Sequence, residues 1–132
     1  MKILIFGNPL VEKDSLPIKL IPKLKQKFLN IEFKEIDPTE DLQNEGKDFI
    51  IIDSVEGIDK VIIIDNLEQL QTNKLYSMHD FGLAFNLKIL KKLEMIDNIK
   101  IIGVPMEISK EEAFNQIQLI LRKWVAQDMQ GS

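Results

Sequence analysis

His79 is the single histidine of this chain, and it stands in Ser77-Met78-His79-Asp80 at the head of an amphipathic segment. Two carboxylates complete a set with chemical potential. Asp14 follows the first apolar run, and Asp53 follows Phe49-Ile50-Ile51-Ile52. An imidazole nitrogen and two carboxylate oxygens brought to a common edge would make an open divalent-metal site, because these donors suit borderline and hard cations alike. The chain has no cysteine, which excludes disulfide frameworks, thiolate zinc sites and cysteine nucleophiles together. Any metal contact must come from His, Asp or Glu.

Each of the three also has a plainer reading. For His79 it is a backbone hydrogen bond at a helix start. For Asp14 it is a helix N-cap, which asks for a carboxylate at the same place. Asp53 is the hardest to explain plainly, since an acid closing an apolar strand must reach solvent or a partner to avoid a desolvation cost of several kcal/mol. A loop-capping carboxylate is its alternative. Asp65 follows a similar run, Val61-Ile62-Ile63-Ile64, but only residues 54–60 separate the two runs. That is too short for a parallel crossover, so the second run is expected to be antiparallel to its neighbour or at an edge, placing Asp65 at the other rim of the sheet.

The elements that must position these residues follow from pattern. Residues 2–6 are a short apolar run ended by the turn chemistry of Gly7-Asn8-Pro9. A helix should start near Asp14 or Ser15, with Pro17 in its first turn, Ile18, Ile21, Leu24 and Phe28 on one face, and a bend at Pro22. Ile31 to Asp37 alternate with period two, as a half-exposed strand does, and a polar stretch over 38–47 suits a short helix. The β-branched run at 49–53 reads as a strand covered on both faces, with Gly57 supplying the turn beyond it. After His79 comes a helix whose Leu83, Leu87 and Leu90, flanked by Ile89 and Leu93, make an apolar face. Residues 100–105 are the last strand. The last helix opens on Ser109-Lys110-Glu111-Glu112, with capping-box spacing, and turns Phe114, Ile117, Ile120, Leu121 and Trp124 inward.

Strands alternating with helices predict an α/β protein: a three-layer α/β/α sandwich of about five strands, mostly parallel with one antiparallel strand. The 132 residues suit one domain, residues 1–128, with 129–132 as a flexible tail. In open parallel sheets ligands collect beyond the carboxyl ends of the strands, and Asp14, Asp53 and His79 can all reach that edge.

Charge and hydropathy narrow the partners. Lysine and arginine total 17 against 21 acids, a formal charge of −4, so the electrostatic footprint of a nucleic-acid binder is missing. Lys23, Lys25 and Lys27 read as a solvated helix face. No apolar run approaches the length of a membrane span and no leader pattern opens the sequence, so no membrane insertion and a cytoplasmic location are expected.

In this order the motifs resemble the hydrogenase maturation endopeptidases, which trim the C-terminus of the nickel-iron hydrogenase large-subunit precursor after nickel insertion. Ile5-Phe6-Gly7-Asn8-Pro9-Leu10 is similar to the family's strand-Gly-Asn-x-Leu opening, and Asp14 falls six residues after that Asn, where the family places an acidic metal contact. Phe49 to Gly57 resembles the apolar strand ending in Asp, with a Gly soon after. Ser77-Met78-His79, followed by a Leu-containing helix, resembles the Ser/Thr-x-His block. Ile101-Ile102-Gly103-Val104-Pro105 resembles the closing strand. The likeness runs from residue 1 to about 106.

Departures are Lys13-Asp14 where the family often has two adjacent acids, Pro17 where it often has Gly, and Asp37-Pro38-Thr39-Glu40 where a Gly-rich segment is common. The first two leave the Asp14 contact in place. The third bears on the shape of the substrate groove.

The resemblance implies an endopeptidase without a serine or cysteine nucleophile, classed as aspartic-type, whose Asp14, Asp53 and His79 are both metal contacts and catalytic residues. It selects Asp53 over Asp65. The nickel would arrive in the precursor, so no tightly held cofactor of the chain's own is expected. The competing class is a phosphoryl-handling α/β module of the receiver type, which would want an acidic pair after its first strand and a Lys at the end of its last parallel strand. This chain has Gly7-Asn8 and Val104-Pro105 there. A binding module that keeps the fold without cleavage is the third reading.

Overall fold

The structure, a computed structural model, describes residues 1–7, 15–36, 42–65, 77–78 and 81–130, with residues 43, 77–78, 81–86 and 129–130 described by their backbone alone. Six strands form one sheet: β1 (Lys2–Ile5), β2 (Glu32–Glu35), β3 (Phe49–Glu56), β4 (Ile62–Ile64), β5 (Ser77–Met78) and β6 (Ile99–Pro105). Their order is β2-β1-β3-β6-β4, with β5 pairing to β3 outside that path. The pairs β1/β2, β1/β3 and β3/β6 are parallel, while β4/β6 and β3/β5 are antiparallel. The expected mostly parallel α/β sheet is present. The two-residue β5 adds a sixth strand and a second antiparallel pairing.

Helices α1 (Leu16–Lys19), α2 (Ile21–Lys27), α3 (Phe81–Lys92) and α4 (Lys110–Gln130), with a 3-10 turn at Leu42–Glu45, cover the sheet. Alternation along each strand sends neighbouring side chains to opposite faces. On one face Ile3, Ile5, Ile50, Ile52, Ile102 and Val104 pack with Leu20 and Leu24 and with Phe114, Ile117 and Leu121 of α4. On the other, Leu4, Phe6, Ile51 and Ile101 pack with Leu42 and with Leu87 and Leu90 of α3. Three layers result. Most of these side chains are fully buried, each contributing about 1.5–3 kcal/mol relative to exposure.

Several boundaries differ from the expectation, for physical reasons. The first helix is two, joined at Leu20, because Pro22 lacks the donor an interior turn needs; it sits instead in the first turn of α2, where none is needed. Ser15 occupies the N-cap of α1 but makes no side-chain cap hydrogen bond. In α3, Leu87 and Leu90 face the core, whereas Ile89 is 40 % and Leu93 62 % exposed. Ile89 is about 200° around the helix from Leu87, and Leu93 lies past the last turn. Ser109 behaves as read: the Glu112 backbone N–H donates to its Oγ at 3.1 Å. Helix α4 runs to Gln130, so the segment read as a tail from 129 begins inside it.

Candidate active site at the outer end of the third strand

From β1 the chain crosses to β2 on one side, and from β2 it returns to β3 on the other. The reversal lies between β1 and β3, and beyond the carboxyl ends of two such strands the diverging loops leave a crevice. Asp53 stands at that crevice. In register, Ile5 of β1 lies across from Ile52, and the Phe6 N–H closes the ladder on the Ile52 carbonyl at 2.9 Å. β1 then ends, and β3 continues for Asp53, Ser54, Val55 and Glu56.

This corrects one expectation. Asp53 does not close its strand but is followed by three more strand residues. The reason is the ladder: β6 runs beside β3 as far as Val55–Pro105, and β5 pairs with it at Val55–Met78 and Glu56–Ser77. Because β6 holds one flank throughout, β5 takes the flank that β1 has left. The strand therefore keeps its backbone partners past an acid that, in sequence, looks like a terminator.

Asp53 shares a face with Ile51 and Val55, the face covered by α3. It is 1 % exposed, among the few buried polar residues. Its register partner on β6 is Gly103, which offers no side chain on that face. Ser54 points to the opposite layer and is fully buried, its hydroxyl making no hydrogen bond among the described residues.

Asp14 and His79 lie outside the described residues. Ser15 and Met78, next to them in sequence, are described. Gly7, where the chain leaves β1 toward Asp14, follows the residue bonded to Ile52, and Met78, the residue before His79, pairs with Val55. Helix α3 begins two residues after His79, at Phe81, and helix N-termini carry partial positive charge suited to carboxylates. Among the described residues alone, no group of three His, Asp or Glu side chains could hold a metal. Asp65 is exposed, just past Ile64, which pairs with Ile101 toward the start of β6. It belongs to the other rim, as its short link to β3 indicated.

The element missed in sequence is β5. Two residues carry no periodicity, and the one usable signal is indirect: β3 outruns β1, so its outer flank needs a partner. Glu45 was also missed. It is buried at the opposite rim, where Lys34 Nζ donates at 2.6 Å and Lys2 Nζ at 3.1 Å. The Lys34 hydrogen bond lowers its pKa against the opposing effect of burial, with Lys2 assisting. A cleft of about 430 Å³ opens at that rim too, lined by Lys2, Asp48, Lys100 and Trp124 among others. Asp53 does not line it.

No family model matches the sequence, and no curated protein matches it. Solved structures do. The solution structure of an endopeptidase from Escherichia coli superposes with a TM-score of 0.63 at 21 % identity, covering 93 % of each chain. The crystal structure of a [NiFe] hydrogenase maturation protease HycI from Thermococcus kodakarensis KOD1 gives 0.58 at 21 % identity, covering 90 % of this chain and 89 % of that one. The chain has the fold of these proteases. The crystal structure of an uncharacterized protein from Wolinella succinogenes is also similar to this chain, with a TM-score of 0.54 at 15 % identity over 99 % of this chain and 98 % of that one. The antiparallel edge strand β4 sets this fold apart from the receiver type, whose order is 2-1-3-4-5. No described helix is long and apolar enough to cross a membrane.

Proposed function

We propose that this protein is an endopeptidase that removes the C-terminal extension of a nickel-iron hydrogenase large-subunit precursor after nickel insertion, with Asp14, Asp53 and His79 contacting the nickel held by that substrate. The observation that carries the reading is the position of Asp53. It is a buried carboxylate at the switch point between β1 and β3, beside the chain leading to Asp14 and the strand leading to His79. The fold the chain shares with an endopeptidase and with a [NiFe] hydrogenase maturation protease supports that reading.

Asp53 is buried beyond the end of β1, where ligands collect in open parallel sheets, and a carboxylate there can meet a cation. Nickel in the precursor would draw the three side chains to one ion, and the ion can orient the tail, polarise its scissile carbonyl or activate a water. The chain's own residues contribute donors of fixed position; the metal is cargo of the substrate.

Selectivity then needs no separate sensor. A precursor without nickel cannot bridge to the three donors, so recognition of finished assembly and docking of the tail become one differential-affinity event. The partner is the precursor, nucleic acid is not, and a cytoplasmic setting fits a substrate still under assembly. The test is His79→Ala alongside Asp53→Asn. Both should fold, and both should leave a nickel-loaded precursor uncut. Full processing by either removes the assignment of that residue.

A further inference from the structure

Gly103 faces Asp53 across β3/β6 and Ile62 across β4/β6. A Cβ at Gly103 would lie 2.7 Å from Val55 Cγ2, 3.1 Å from Ile62 Cγ1 and 3.4 Å from Val55 Cβ. The absent side chain is therefore a notch on the Asp53 face of the sheet, and Val55 fills most of it. Val55 is fully buried, two residues beyond Asp53 on the same face, and its backbone pairs with Met78. One side chain thus links the notch in β6 to the strand that precedes His79.

We propose that Gly103 is a positioning residue: its missing side chain seats Val55, and the seat sets the β3/β5 pairing of Val55 with Met78, the residue that precedes His79 in sequence. The relevance to cleavage rests on the trimming function proposed above; the geometric link does not. Gly103 makes no contact with substrate in this account and acts chiefly through Val55, the side chain an added Cβ would crowd most, with Ile62 next at 3.1 Å. An alanine there must displace Val55 by about 0.7 Å to turn a 2.7 Å contact into an ordinary one at 3.4 Å. Misplacements near 1 Å at a reacting centre cost about 10²-fold in rate.

The experiment compares the full-length wild type with Gly103→Ala, the double variant Gly103→Ala/Val55→Ala, and Ile117→Val as a control packed in the opposite layer. Two readouts are taken: kcat per folded molecule on nickel-loaded precursor, and the imidazole ring signals of His79 by NMR, unambiguous because the chain has one histidine. Gly103→Ala should lower kcat about 10- to 100-fold and shift the His79 signals. The double variant, with room restored for the new methyl, should return both toward wild type, and Ile117→Val should move neither. Wild-type His79 signals and wild-type kcat in Gly103→Ala would overturn the proposal, as would a loss that the double variant fails to rescue. If the wild type itself does not trim the precursor, the functional reading falls while the NMR comparison still decides the positioning.

Discussion

Met78 pairs with Val55 on the flank of β3 that β1 has already left, so the residue before His79 lies two strand positions beyond Asp53. The outer end of β3 thereby receives two chain segments besides its own: the exit from β1 at Gly7 and the arrival through β5. Asp53, 1 % exposed, is the carboxylate buried at that junction.

Asp53→Asn keeps the shape of the side chain and removes its charge. Trimming of nickel-loaded precursor should fall by at least about 10²-fold, the scale expected when a metal-contacting charge is lost. Thermal stability should stay within about 1 kcal/mol of wild type, since the amide keeps the size and shape of the carboxylate. Thermal melts and product masses check both. A strongly destabilised variant would mean that Asp53 serves the fold instead.

Asp65→Asn is the matched control, because Asp65 follows the same kind of isoleucine run but is exposed at the opposite rim. Processing rates should stay within about twofold of wild type, in line with the small effect of surface substitutions. A large loss in this variant would move the site.

Ser54→Ala removes a fully buried hydroxyl that makes no hydrogen bond among the described residues, from the face opposite Asp53. Burial of an unsatisfied hydroxyl costs about 1–3 kcal/mol. The variant should gain about 1 kcal/mol in urea unfolding, and its trimming rate should be unchanged. Destabilisation by a similar amount would show that the hydroxyl has a use in the native state.

Glu45→Gln tests the lysine-bridged carboxylate at the other rim. The Lys34 hydrogen bond holds the folded pKa of Glu45 below its ordinary value of 4.5. A lowered folded pKa stabilises the native state above the unfolded pKa, and that contribution fades as pH falls through the folded value. Lys2 and Lys34 are 32 % and 48 % exposed, so solvent screening keeps the effect near 1 kcal/mol. Urea unfolding should show Glu45→Gln less stable than wild type by about that much at neutral pH, with the gap closing well below pH 4.5. A gap independent of pH would assign the loss to packing.

The legible and illegible parts of this fold divide by the range of the interactions that set them. The isoleucine runs of β3, β4 and β6 and the Ser109 cap declare themselves locally, and so do the layers they build. The rim assigned to Asp65 followed from a link too short for a crossover. The continuation of β3 past Asp53 is set by partners dozens of residues away in β5 and β6, which no local pattern encodes. The same holds for Glu45, in the 3-10 turn, whose ion pairs reach Lys2 and Lys34 in two strands. The division of the first helix was half visible: Pro22 announced a bend, but its place in the first turn of a second helix depends on Leu20 and Leu24 both reaching the core. Of the candidate site, Asp53 is placed by the structure; Asp14 and His79 rest on the sequence motifs and on the positions of their neighbours.

The central claim is that this chain trims a hydrogenase large-subunit precursor only when the precursor carries nickel. Its most direct test is intact-mass spectrometry of such a precursor, nickel-loaded and nickel-free, after incubation with the purified protein. The account predicts loss of a single C-terminal peptide from the loaded form and an unchanged mass for the nickel-free form. An uncut loaded precursor, or equal cutting of both forms, would contradict it.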